Sequence, residues 1–121
     1  MKDHMTLHPD NRTRSKLESG QPALGLFLVS ASSMMAEAAG TLGFDWAVID
    51  VEASPADRSV VLHMLQALTG SGVTPFVRVP NHSQDVIEHA LDTGALGVVV
   101  PKVSTAEQAH AVSEALSLIH I

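Results

Sequence analysis

Short apolar runs alternate along this chain with longer stretches in which apolar residues recur every three or four positions. The runs Ala23–Val29, Trp46–Asp50, Thr74–Val79 and Gly97–Val100 are rich in Leu, Val, Ile and Phe, as strands covered on both faces require. Between them lie helical stretches. Ser32 or Ser33 opens one that runs through Met34, Met35, Ala38 and Ala39 to Leu42, with Gly43 as its stop. Val60, Val61, Met64, Leu65 and Leu68 form the stripe of a second, stopped at Gly70-Ser71-Gly72. Ser83 opens a third with Val86, Ile87, Ala90 and Leu91 inward and Gly94 at its end, and Ser104-Thr105-Ala106-Glu107 reads as a capping box for a fourth carrying Ala109, Val112 and Leu116. The pattern predicts a polar segment over 1–22 with a short helix around Arg12, Arg14 and Lys16, then four βα units over 23–115. Strands alternating with helices imply a parallel α/β sheet with right-handed crossovers. A closed eight-stranded barrel needs about 250 residues, so four units make half of one, or else a small open sheet.

The stretch from Gly43 to Pro55 carries the densest chemistry. Trp46, Ala47, Val48 and Ile49 end in Asp50 and Glu52, which lie two apart and leave the same face of an extended backbone. Ser54-Pro55-Ala56-Asp57 follows as an N-cap, a proline at the first helical position and an acid three after the cap. Carboxylates at the carboxyl end of a parallel strand stand where α/β folds place ligands, although solvated acids ending a strand give the same pattern.

Composition narrows the field. A hydrophobic share of 45% with 17% charged residues describes a globular chain of one domain, and a formal charge of −6 argues against a nucleic-acid surface. With no cysteine there are no disulfides or thiolate metal sites, which fits a reducing, cytoplasmic setting. No apolar run reaches membrane-spanning length, so no membrane partner is expected. His4 and His8 are spaced i, i+4 near the terminus, and His63, His89 and His110 fall on helices without metal-binding spacing. CxxC, GxGxxG and phosphate-loop motifs are absent, which leaves a redox or nucleotide domain without support.

Several blocks, in order and without gaps between about Leu24 and Val112, resemble the HpcH/HpaI aldolase and citrate lyase family. They are Ala36-Glu37-Ala38-Ala39, Gly43-Phe44-Asp45-Trp46, Ile49-Asp50-Val51-Glu52 with Ser54-Pro55, Phe76-Val77-Arg78-Val79-Pro80, Ala90 to Ala95, and Gly97 to Val103. The resemblance implies the N-terminal half of a TIM (β/α)8 barrel. It also implies a carbon–carbon lyase that makes or breaks 4-hydroxy-2-oxo acids, with pyruvate and an aldehyde as small-molecule partners. A divalent metal, Mg2+ or Mn2+, is implied with ligands outside this chain, and a trimeric or hexameric homo-oligomer in the full-length protein.

On that resemblance the pyruvate-binding arginine falls on Arg78, whose planar fork suits a carboxylate or an enolate oxygen. Asp50 and Glu52 line the site, and the acid that serves the family's catalytic histidine falls on Asp92. The histidine itself is replaced by Ala53, which removes the usual proton acceptor and leaves His82, just beyond Pro80, as the candidate substitute. Residues 116–121 match nothing in the family and read as a truncated end; with the family's metal ligands outside it, this chain alone is expected to be inactive. The alternative is a non-catalytic fragment that keeps only a 2-oxo acid pocket or an oligomer-forming surface.

Overall fold

The computed structural model describes residues 11–119 of the chain, with the side chains of Leu118 and Ile119 left aside. Nine elements follow one another. A short helix α1 (Arg12–Glu18) precedes β1 (Gly25–Leu28), α2 (Ser33–Gly40), β2 (Trp46–Asp50), α3 (Arg58–Leu68), β3 (Thr74–Arg78), α4 (Gln84–Thr93), β4 (Gly97–Val99) and α5 (Ala106–Ile119). The four strands form one sheet in the order β1-β2-β3-β4, every neighbour parallel. This is the arrangement the alternating pattern predicts. β2 runs over the residues expected, whereas β1, β3 and β4 are one or two residues shorter at their ends, because ladder pairing stops where each chain turns toward its crossover.

Alternation along the strands sorts the side chains between two faces. Leu28, Ala47, Ile49, Val77 and Val79 join Ala36, Ala39, Met64, Leu65, Leu68, Ile87 and Ala90 in one buried core, so the helices α2, α3 and α4 cover this outer face. The opposite, inner face is stacked in rungs by the register. Gly25, Trp46 and Thr74 share one rung, and Phe27, Val48, Phe76 and Gly97 the next. Large rings sit beside glycines. A β-carbon on Gly25 would come within 2.0 Å of the Trp46 indole, and one on Gly97 within 2.5 Å of the Phe76 ring. Asp50 and Arg78 pair in the third rung, at the carboxyl end of the sheet.

At the amino end, α1 lies across the strand starts. The buried Thr13 donates through Oγ1 to the Asp45 carbonyl at 2.8 Å, and its N–H donates to Thr74 Oγ1 at 3.3 Å. Lys16 Nζ meets both Asp45 carboxylate oxygens at 3.0 Å, and Leu24 N–H donates to the same carboxylate at 2.8 Å. These bonds hold the Asp45 carboxyl below its ordinary pKa, the Leu24 N–H first among the causes and Lys16 next.

Helix starts depart from the sequence reading in two places. The second βα helix begins at Arg58, with Asp57 as its cap: Asp57 Oδ1 accepts from Val60 N at 2.9 Å. Ser54 is not the cap; its hydroxyl donates to the Asp50 carbonyl and accepts from Ala56 N at 3.2 Å, folding the loop back on the strand end. The box before α5 is shifted by one residue. Thr105 Oγ1 accepts from Gln108 N at 3.1 Å, and Gln108 Oε1 accepts from the N–H groups of Ser104 and Thr105, so Gln108 takes the role assigned to Glu107. On α5 the buried residue is Ala115, whereas Ala109 is exposed. The helix continues through residue 116 without a break.

Candidate functional site

Asp50 closes β2 and Arg78 closes β3, and the parallel register sets their α-carbons opposite one another. The Asp50 carboxylate is 0% exposed while the Arg78 side chain remains 27% exposed, so the pair runs from the interior to the mouth of the sheet. Arg78 Nε donates to Asp50 Oδ1 at 3.1 Å and Nη2 donates to Oδ2 at 2.5 Å, a two-point fork that fixes the guanidinium plane. Asp50 Oδ1 also accepts from the backbone N–H groups of Glu52 and Ala53, both at 3.0 Å. The loop after β2 therefore wraps the carboxylate, and Asp50 belongs to the scaffold of the site.

These contacts set the charges. The Arg78 hydrogen bond is the largest influence holding the Asp50 carboxyl below its ordinary pKa; burial opposes it, and the Ala53 and Glu52 N–H groups add to it. The same bond raises the Arg78 pKa further above the range in which it could lose its proton. Both groups stay ionised. Arg78 Nη1, the nitrogen that Asp50 does not use, lies 3.6 Å from Glu52 Oε1. Glu52 Oε2 is shielded from solvent and has no hydrogen-bond partner among the described residues. Asp50 and Glu52 both reach Arg78, but through different nitrogens: β2 ends at Asp50 and Glu52 lies in the bend that follows, so the extended backbone assumed for their spacing of two does not continue to Glu52.

The other sequence candidates are distributed differently. His82 is exposed in the loop after β3, at the same end of the sheet as Arg78, with no hydrogen bond among the described residues. Asp92 is exposed near the carboxyl end of α4, a turn before the chain enters β4. In a parallel βα unit that is the end opposite Arg78, so within this chain the fold does not bring Asp92 to the pair. Ala53 is exposed beside Glu52 and offers no proton acceptor. His63 is exposed, His89 borders a cavity of about 110 Å3 between α3 and α4, and His110 Nε2 lies 3.1 Å from Glu114 Oε1. His4 and His8 lie outside the described residues. One contributor escaped the sequence reading: the Phe27 ring, whose centroid lies 5.2 Å from Arg78 Cζ. The signal was present, since alternation in Gly25-Leu26-Phe27-Leu28 turns Phe27 to the face opposite the apolar core.

Among the described residues, no three His, Cys, Asp or Glu side chains converge in a way that could hold a metal ion. Asp50 spends its oxygens on Arg78 and two N–H groups, and Glu52 alone has an open one. The residues present do not make a metal centre. No helix among them is long and apolar enough to cross a membrane.

Comparison with known proteins bears on the fold and the family. The sequence profile of the HpcH/HpaI aldolase/citrate lyase family matches residues 23–120. The chain is 42% identical over 112 residues to the hydroxypyruvate/pyruvate aldolase of Agrobacterium fabrum, covering 93% of this chain and 41% of that protein. It is 39% identical over 105 residues to the 2-keto-3-deoxy-L-rhamnonate aldolase of Shigella boydii, covering 87% and 39%. A crystal structure of a family protein from Burkholderia cenocepacia superposes with a TM-score of 0.80 at 32% identity, over 88% of this chain and 42% of that one. The chain thus spans about two fifths of the length of the relatives it matches. The four parallel βα units correspond to part of a TIM-barrel aldolase, and the chain belongs to the HpcH/HpaI aldolase/citrate lyase family.

Proposed function

We propose that this chain carries the 2-oxo acid-holding part of a pyruvate aldolase, a lyase that cleaves or forms 4-hydroxy-2-oxo acids. The observation that carries this reading is the Arg78 fork: a guanidinium locked by a buried carboxylate at the carboxyl end of adjacent parallel strands, with Nη1 free of Asp50. Active sites of β/α barrels form at that end. The guanidinium offers in-plane donors to a carboxylate or to an oxygen that gains charge during reaction.

In retro-aldol cleavage the proton on the 4-hydroxyl leaves and the C3–C4 bond breaks, releasing an aldehyde. The electron pair of that bond becomes the enolate of pyruvate, which takes a proton at C3. Arg78 serves by holding the 2-oxo acid and stabilising the enolate oxygen. Asp50 serves by keeping Arg78 charged and aimed. Glu52 lines the site beside Nη1, and His82 stands at the same end as the candidate proton acceptor in place of Ala53. Asp92 enters this reading only through the resemblance. The alternative, a non-catalytic member that retains a 2-oxo acid pocket or an oligomer surface, keeps the Arg78 fork and lacks turnover.

The test is pyruvate release from 4-hydroxy-2-oxo acids by the whole protein, with Mg2+ or Mn2+ supplied. Removing a donor of this kind costs about 100- to 1,000-fold in rate, and that loss is expected for Arg78→Ala. Arg78→Lys, which keeps a cation against Asp50, is expected to recover only part of it, because a point charge cannot reproduce the fork. Turnover unchanged in Arg78→Ala removes Arg78 from the reaction. Absence of turnover in the wild-type protein, with pyruvate still bound, favours the non-catalytic alternative.

A further inference from the structure

Arg78 is gripped in two directions, and the Asp50 carboxylate accounts for only one of them. Asp50 acts within the guanidinium plane, through Nε and Nη2. The Cζ of the same group lies over the Phe27 ring, 5.2 Å from the centroid, inside the distance of about 6 Å at which the ring quadrupole attracts a cation. Phe27 is braced in turn. Its ring meets the Trp46 indole edge to face, with centroids 6.2 Å apart and planes at 88°. Trp46 has little freedom, because its Nε1–H donates to the Ala23 carbonyl at 3.3 Å and its six-membered ring covers Gly25 so closely that no β-carbon fits there. The chain has only four aromatic residues, Phe27, Phe44, Trp46 and Phe76. Two of them stand in line beneath Arg78.

A two-point fork to one carboxylate leaves the guanidinium able to tilt about the line joining Arg78 to Asp50. A ring beneath Cζ restrains that tilt through its attraction for the cation and uses none of the N–H donors. Resting on the reading of Arg78 as the 2-oxo acid holder, we propose that Phe27 is a positioning residue. Braced by Trp46, it fixes the plane of the Arg78 guanidinium so that Nη1 stays presented on the Glu52 side of the site.

The experiment compares the wild type with Phe27→Leu, which keeps apolar bulk without a π face, and Phe27→Trp, which restores one. Two quantities are read: the Arg78 Nε–H resonance in nitrogen-15 spectra, and the affinity for added pyruvate. Phe27→Leu is expected to remove the ring-current shift of the Arg78 resonance and to weaken pyruvate binding by about two- to fivefold. Phe27→Trp should restore both, whatever either substitution does to the melting temperature. Where the leucine variant does not fold, Phe27→Met serves the same purpose. A wild-type resonance and wild-type affinity in Phe27→Leu overturn the proposal, and so does a loss that Phe27→Trp fails to restore. If wild-type protein binds no pyruvate, the reading of Arg78 as carboxylate holder fails, and the Arg78 resonance alone then decides the positioning role.

Discussion

Asp50 and Arg78 show how far two residues can be read from sequence. Their types, and their places at the ends of apolar runs, mark them as a strand-end acid and a strand-end base. Their pairing depends on register, which a single sequence does not print: Asp50 opposes Arg78 only because Trp46 aligns with Thr74. The burial difference has energetic consequences. Arg78→Ala leaves a fully buried carboxylate with two backbone donors, at an expected cost of about 3 kcal/mol. That is the low end for breaking a buried pair, because the N–H groups remain and water can enter beside them. Adding Asp50→Asn to Arg78→Ala should recover part of the loss, as urea titration of the three variants would measure. The pair also predicts acid sensitivity. Asp50 and Asp45 both titrate below their ordinary value of 3.8 in the folded chain, so each contributes stability that is complete above that pH. The contribution drains away as pH falls from 3.8 through the lower folded values. Melting temperatures should therefore be flat in this respect above pH 5 and fall below pH 4, with the fall reduced in Asp45→Asn. A melting temperature that rises on acidification through this range contradicts the assignment.

At the scale of elements, the period of the hydrophobic pattern decided almost everything. Val61, Met64, Leu65 and Leu68 are buried as the helical stripe requires, as are Ile87 and Ala90. Helix starts were less legible, because Ser54, Asp57, Ser104 and Thr105 are all competent caps and the choice falls to loop geometry. Pulling Ser54 back onto the Asp50 carbonyl moves the helix start to Asp57. Asp57→Ala should then cost about 1 kcal/mol through loss of the bond to Val60 N. Ser54→Ala should leave α3 intact and instead loosen the loop that wraps Asp50. Hydrogen exchange at the first turn of α3 separates the two. Faster exchange at Val60 in Ser54→Ala, with no change in Asp57→Ala, would return the cap to Ser54. The large-beside-small inner rungs were also not visible from sequence, since Gly25 and Gly97 read as ordinary strand glycines until Trp46 and Phe76 are placed over them.

At the scale of the whole molecule, the parallel order was predictable because short apolar strands joined by helices pack back only through right-handed crossovers. The position of Asp92 was not, because a resemblance carries a residue across without saying which end of the sheet it reaches in this chain. Four parallel strands leave the outer edges of β1 and β4 without strand partners among the described residues. Leu24, Phe27, Val29, Met34, Met35 and Leu42 lie exposed on the β1 and α2 flank. Open edges and exposed apolar side chains invite association, so the 121-residue chain is expected to sediment as a self-associated species; a single monomeric boundary across a hundredfold concentration range would contradict this. The central claim is that Arg78 holds a 2-oxo acid, and calorimetric titration of pyruvate into the whole protein and its Arg78→Ala variant tests it most directly. Loss of a charge-assisted contact predicts affinity about 10- to 150-fold weaker in the variant. Equal affinity in the two proteins, with both shown to be folded, would place the 2-oxo acid elsewhere.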